Sequence, residues 1–417
     1  MAPTTSRPSP AAADERERPA RYRDVFADRV FTVVFGSRTL SIGAGTLRIF
    51  ALSVLVYDRT GSALLTAVTF GIGFAPQVIG GTTLGALADR LRPRGLIVAG
   101  FLLECAVAAI IALASPPIAA SLALVALAAT LAPVFNGASN RLVAESLTGD
   151  AYVLGRSLFN VASAGAQLLG LAVGALAVAQ LGADRALLVT AACQLAAAVL
   201  ARLGLPRLPA AGGDGAAVRQ SWSVTVRLWR DRDVRALLLM QWLPPAFVTG
   251  AEALLVPYLA ERGFPTSSAG LVLASAPVGM LVGNLVVGRL VPPQTRERLV
   301  APIVLLLGAP LVGLALPTPL WVAAGLLLLI GAGFSYGLGL QRIFLESLEP
   351  NLRGQAFALQ FTGLMTLQGV GPLVAGATAE VAPIPAVMAG AGVATMLVAV
   401  VWWYTRGRQT PAPRGVE

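Results

Sequence analysis

Four charged side chains stand where charge is expensive. Arg38, Arg48, Glu104 and Glu252 each lie inside a long apolar run. A charge persists in such surroundings only when it is paired, or when it binds something or carries protons. A carboxylate there can take up and release a proton, and a neighbouring guanidinium can hold it ionised. Asn136 and Asn140 are spaced i, i+4 with Arg141 directly after them, so one helix face offers amides to a bound molecule or to a neighbouring helix. A charged cluster runs from Gly85 to Gly95, where Asp89 sits among Arg90, Arg92 and Arg94 between two apolar runs.

Several other chemistries are excluded by composition. The chain has no His, and every basic residue is Arg. Gly333-Phe334-Ser335-Tyr336-Gly337 has the spacing of a nucleophile elbow, but it lies inside an apolar run and no His exists to act as its base. The usual His-based zinc sites and the Lys-containing phosphate loop are excluded in the same way. Cys105 and Cys193 both fall in apolar runs and read as small buried hydrophobes. No catalytic residue, metal or cofactor is expected, and energy for any work must come from an ion gradient.

The elements that hold these side chains are membrane helices. The 417 residues are 56% hydrophobic and 12% charged, with mean hydropathy +0.74. A bilayer core takes about 20 apolar residues per helix, and the apolar runs are unbroken, not alternating, so helices and not a barrel are expected. Twelve fit: α1 near 30–57, α2 near 63–88, α3 near 95–114, α4 near 118–141, α5 near 156–179, α6 near 186–204, α7 near 236–259, α8 near 267–289, α9 near 299–316, α10 near 320–342, α11 near 355–379 and α12 near 384–404. Residues 1–28 read as a disordered tail, 29–204 as one six-helix bundle, 205–235 as a linker, 236–405 as a second bundle and 406–417 as a tail. The linker holds Trp222, Val226 and Trp229 at i, i+4, i+7 among arginines, which suits either a helix lying on an anionic membrane surface or an irregular basic loop.

Charge follows topology. Twelve spans leave both termini on one side, and that side carries 26 of the 31 arginines; the opposite loops hold only Arg59, Arg185 and Arg262. The bias makes the termini cytoplasmic. Because the arginines follow the loops and do not form one patch, nucleic acid is not an expected partner.

The halves repeat. Arg141-Leu142-Val143-Ala144-Glu145-Ser146-Leu147 matches Arg342-Ile343-Phe344-Leu345-Glu346-Ser347-Leu348 at an offset of 201, and Gln167 and Gly170 fall on Gln368 and Gly371 at the same offset. Arg90-Leu91-Arg92-Pro93 falls on Arg289-Leu290-Val291-Pro292, and Asp58-Arg59 on Glu261-Arg262. Gly279 and Gly283 repeat the Gly81 and Gly85 step, where small residues let helix backbones approach. Two parallel six-helix repeats are how one large class of secondary transporters is built.

With these features the chain resembles the major facilitator superfamily. That family's loop between the second and third helices reads Gly-x-x-x-Asp-Arg/Lys-x-Gly-Arg-Arg/Lys; Gly85, Asp89, Arg90 and Arg94 match, whereas Arg92 and Pro93 depart from it. Val56 to Ala63 and Gly250 to Tyr258 are similar to the drug, macrolide and siderophore exporter branch. In the antiporter signature of α5, Leu171 stands after Gly170 where Pro is expected; α11 has Gly371-Pro372. The departure leaves direction open.

The resemblance implies that helices 1, 4, 7 and 10 line a central cavity and that helix 3 is peripheral. Arg48 and Glu252, at nearly equal depth in their halves, are therefore expected either to face each other as a coupling pair, to form a structural pair, or not to meet. Glu104 is a further candidate for coupling. Arg38, Asn136 and Asn140 are candidate substrate contacts, and a lining otherwise of Leu, Val, Phe and Trp242 suits an amphipathic small molecule. Asp89, Arg90 and Arg141 are expected to form a cytoplasmic latch, with Arg289 and the start of α11 opposite. The expected protein is a monomeric transporter in the bacterial plasma (inner) membrane, in contact with membrane lipids, that exports such a molecule against protons. An importer of the same fold is the alternative; a non-transporting receptor or scaffold would need a larger soluble domain than the linker.

Overall fold

In the computed structural model every described element is helical. The structure describes residues 22–84, 91–147, 149–209, 226–265, 268–349 and 352–407. The principal helices are α1 (Arg29–Thr60), α2 in two pieces (Ala63–Gly71 and Ala75–Leu84), α3 (Pro93–Ala114), α4 (Ile118–Ser146), α5 (Gly149–Leu181) and α6 (Ala183–Gly204). The second half follows with α7 in two pieces (Arg232–Ala253 and Leu255–Glu261), α8 (Ser268–Leu290), α9 (Val300–Gly313), α10 in two pieces (Leu320–Gly333 and Tyr336–Glu346), α11 (Arg353–Ala379) and α12 (Ile384–Gly407). Among the described residues nine spans are long and apolar enough to cross a bilayer, or ten if the bent α7 counts as one. Of the rest, α9 has only 14 residues, and Thr362, Thr366 and Gln368 dilute the apolar run of α11.

Helix ends are set by local chemistry. Asp28 caps α1 by accepting from the Phe31 amide at 2.6 Å, and Gly61 ends it in the left-handed conformation. Ser62 then caps α2 through the Leu65 amide, and Asp231 caps α7 through the Asp233 and Val234 amides. Such caps satisfy amides that have no partner in the helix. The breaks also have local causes. Gly73 lies in the turn of α2, Pro257 has no N–H to offer the Ala253 carbonyl at the 41° bend of α7, and Gly331 and Gly333 precede the break in α10.

Successive helices run up and down, so their ends collect at two faces. One face carries the start of α1 and the end of α12; Arg94 with Arg202, Arg227 with Glu349 and Arg342 with Glu297 meet there. At the far face Arg59 pairs with Asp184 at 3.4 Å, and Arg262 donates to the Leu314 carbonyl at 3.2 Å. Asp58-Arg59 and Glu261-Arg262, equivalent by sequence, thus reach different partners.

The repeat is also present in the packing. A Cβ at Gly170 would overlap the Gly43 carbonyl, joining α5 to α1. A Cβ at Gly371 would overlap the Ala246 carbonyl, joining α11 to α7 in the same way. Gly80 of α2 against Thr130 of α4, and Gly279 of α8 against Leu328 of α10, form a second equivalent pair of close crossings. In α2 the tight position is Gly80; Gly81 has more room.

The halves are joined at the far face. One buried apolar cluster runs from Leu47, Phe50 and Ala175 of the first half into Tyr258, Leu311 and the rest of the second. The terminal end of the first half has its own cluster, built on Phe31, Val34, Ile97, Phe101 and Leu142. At the far side Gly270 of α8 meets Ala175 and Phe50, and Gly376 of α11 meets Leu64 and Ala67 of α2.

Candidate functional site

Arg38, on α1, donates through Nη1 to Oδ1 of Asn140, on α4, at 2.8 Å. Its guanidinium also lies 5.6 Å from the ring centroid of Phe159 on α5. Phe159 in turn packs on Phe35 of α1 at 5.4 Å and on Phe31 at 5.5 Å. Asn136 and Asn140 are both exposed, one turn apart on the same face of α4. Two of the side chains singled out in sequence are thus brought together, with aromatic rings beside them. Their place is the terminal side of the first half, where the two halves do not share a core. Phe35 and Phe159 were not singled out in sequence, because rings in an apolar run carry no signal of their own.

Arg48 does not pair with Glu252. Its Nη1 lies 2.7 Å from Oε2 of Glu104, with side-chain exposures of 9% and 20%. The partner is on α3 because α1 and α3 both pack on α6, so the long arginine reaches a neighbour within its own half. Burial weakens screening and makes such a pair interdependent: each member keeps the other from being an uncompensated charge. The Arg48 Nε is buried without a hydrogen-bond partner. Between the same helices α1 and α6, Gln194 donates to the Ser41 carbonyl at 3.3 Å.

Glu252 is half-buried on α7, two residues before the bend at Leu254. Among the described residues its carboxylate has no hydrogen bond or ion pair. The Leu254 amide bonds to the main-chain carbonyls of Ala251 and Glu252, in the tightened turn that ends the first piece of α7. Nearby, Gly250 lets α7 approach α11, its Cβ position lying 2.9 Å from the Gly371 carbonyl.

Of the expected latch, Gly85, Asp89 and Arg90 lie outside the described residues. Arg94 donates to the Arg202 carbonyl at the end of α6. Arg141 pairs with Glu145 at 2.6 Å and reaches the Pro209 carbonyl at 3.5 Å. The equivalent Arg342 contacts Glu346 at 3.7 Å and Glu297 at 2.6 Å. Trp222 is also outside the described residues. Residues 226–230 are helical, and Trp229 stacks on Trp242 of α7 with ring centroids 5.7 Å apart, while the Trp242 indole donates to the Gln360 carbonyl of α11 at 2.8 Å.

A contact between the halves that sequence did not single out lies at the far face. Glu380, after α11, accepts from the Ser62 hydroxyl at 3.1 Å and from the Leu64 amide at 3.2 Å through the same oxygen. A separate apolar cavity of about 420 Å³ lies within the second half between α7, α11 and α12, lined by Leu243, Phe247, Val370, Val374 and Ala394 among others. It touches none of the polar candidates. Among the described residues no cluster of His, Cys, Asp and Glu is suited to a metal ion.

The structure is similar to the nucleoside transporter NupG, with TM-score 0.74 and 13% identity over 90% of this chain and 99% of that one. It is also similar to the human organic anion transporter MFSD10 (TETRAN), with TM-score 0.61 and 18% identity over 89% of this chain and 98% of that one. At these identities the likeness is one of fold. No curated protein sequence matches the chain. The sequence profile of the Major Facilitator Superfamily matches residues 33–345. Three quarters of the chain therefore match one profile, and the repeated six-helix halves agree with it: this protein belongs to the major facilitator superfamily, a family of membrane transporters.

Proposed function

We propose that the protein exports an amphipathic small molecule, coupled to protons, by alternating access. The observation that carries this reading is the composition of the surface formed by α1, α4 and α5: the Arg38–Asn140 hydrogen bond and the exposed Asn136 stand beside Phe35 and Phe159. Such a surface offers hydrogen bonds to one end of a ligand and aromatic faces to the other. It lies at the terminal side, which the arginine bias makes cytoplasmic. A molecule would load there while the far face is shut.

Glu252 supplies the proton step in this reading. An acid without a partner, beside a bend, is free to exchange a proton when the helix moves, whereas Glu104 is occupied by Arg48. Asp89, Arg90 and Arg141 remain the proposed latch at the terminal face, engaged when the far face is open.

The test is transport in inverted and right-side-out vesicles, with a panel of amphipathic dyes as probes and an imposed pH gradient. Dye accumulation in inverted vesicles that collapses with the gradient is the expected result. Uptake only into right-side-out vesicles would make the protein an importer, and no gradient-driven movement of any probe would remove the proposal for this substrate class. Arg38→Ala and Asn140→Ala should each raise KM for the dye transported best.

A further inference from the structure

The ends of α3 and α6 gather unpaired positive charge at the terminal face. Arg94, in the first turn of α3, is half-buried; its Nη2 donates to the Arg202 carbonyl, and its Nε is buried with no hydrogen-bond partner. The charges of Arg202 and Arg207, both exposed, bear on Arg94. Arg92, exposed at the start of α3, adds a fourth cation. Among the described residues none of the four forms an ion pair.

Elsewhere on this face three arginines meet acids: Arg141 has Glu145, Arg227 has Glu349, and Arg342 has Glu297 and Glu346. What marks the gathering at α3 and α6 is that Arg94 is half-buried there with its Nε lacking an acceptor. Like charges held together repel, and the repulsion grows where one of them leaves water. A helix C-terminus attracts cations, which accounts for Arg202 in the last turn of α6 and for the contact of Arg94 with its carbonyl, but not for Arg207 and Arg92. An anion would relieve the repulsion and give the Arg94 Nε an acceptor.

The surroundings say where the anion comes from. Leu91 beside Arg92 is 46% exposed, and Leu203 beside Arg202 is 74% exposed. Exposed leucines next to arginines at the ends of membrane-spanning helices match the boundary between acyl chains and headgroups. We infer that the ends of α3 and α6 form a binding site for an anionic phospholipid, with Arg94, Arg202 and Arg207 on the headgroup phosphate and Leu91 and Leu203 against the first part of its chains. Basic pockets between membrane helices take lipid headgroups in this way.

The experiment uses the full-length protein in detergent, with dioleoylphosphatidylglycerol, dioleoylphosphatidylcholine or inorganic phosphate added separately. Bound lipid is counted by native mass spectrometry, and the thermal midpoint is followed in parallel. Phosphatidylglycerol should bind and raise the midpoint, with the other two having little effect. The double variant Arg202→Gln/Arg207→Gln should bind it about tenfold more weakly. Both side chains are exposed, so the fold should survive. The double variant Arg232→Gln/Arg298→Gln, which removes two exposed charges from the second half at the same face, should keep full affinity. Equal binding of phosphatidylcholine, an equal response to inorganic phosphate, undiminished affinity in the first variant, or equal loss in the second would each overturn the inference.

Discussion

The hydroxyl of Ser62, in the first half, lies 3.1 Å from Oε1 of Glu380, in the second, and the Leu64 amide donates to the same oxygen. Ser62 meanwhile caps α2 by accepting from Leu65. A carboxylate from one half thus completes the N-terminal cap of a helix in the other. Lower down, the first piece of α2 is held again where Gly71 meets Gly369 and Pro372 of α11. The break in α2 lies directly below; its second piece keeps contact with α11 where Gly369 meets Ala75, and then packs on α4, where Gly80 meets Thr130. The outer part of α2 is therefore fastened to the opposite half at both ends. For the halves to part at the far face, these contacts must break.

Glu380→Ala should shift the conformational equilibrium toward a state open at the far face, because it removes contacts made only in the closed state. Spin labels placed across the far face should report longer distances than in the parent protein. A Ser62→Cys/Glu380→Cys pair should cross-link under oxidation and stop transport until reduced. Unchanged distances together with transport unaffected by the cross-link would show that the contact has no part in gating.

The Arg48–Glu104 pair should behave as a unit. Removing one member leaves a buried charge, which costs about 3–5 kcal/mol in water-soluble proteins. Arg48→Ala and Glu104→Ala should each lower the thermal midpoint markedly. The double variant Arg48→Met/Glu104→Leu should recover most of the loss. Additive losses in a double-mutant cycle would mean that the two charges are not coupled.

Gly170 and Gly371 should respond alike, since each admits a neighbouring backbone at an equivalent crossing. Gly170→Val and Gly371→Val should each cost about 1–3 kcal/mol or more through overpacking. Gly36→Ala, where an added Cβ meets nothing within 4 Å, should be close to neutral. The measurement is thermal stability in detergent, and tolerance of either valine would contradict the crossing.

Glu252→Gln keeps the shape of the side chain and removes its titration. The variant should insert normally and bind substrate, yet lose the acceleration that an imposed pH gradient gives. Transport by this variant should be flat across the pH range in which the parent varies. A retained gradient response would move the proton step elsewhere, with Glu104 the next acid to examine.

Asp89→Asn should abolish transport while leaving membrane insertion intact, if the acid holds the terminal face shut in one state. Transport assays alongside surface labelling separate the two effects. Normal turnover in this variant would remove the latch.

Much of the architecture was legible because membrane helices announce themselves locally. Long apolar runs act within one segment, and the offset of 201 links Arg141 with Arg342 and Gly170 with Gly371 before any contact is known. Those equivalences reappear as the Glu145 and Glu346 pairings and as the two glycine crossings. The partner of Arg48 was not legible. Arg48 and Glu252 share a depth, but depth along the bilayer does not say which face of α1 turns toward which neighbour. The packing of α1 and α3 on α6 decided for Glu104. The Ser62–Glu380 contact depended still more on tertiary structure, since its two residues are 318 apart in the chain. Hydropathy determined which segments span, because it is a property of each segment alone. Which charge met which depended on helix rotation and on how the two halves lean together, and only the packed structure sets these.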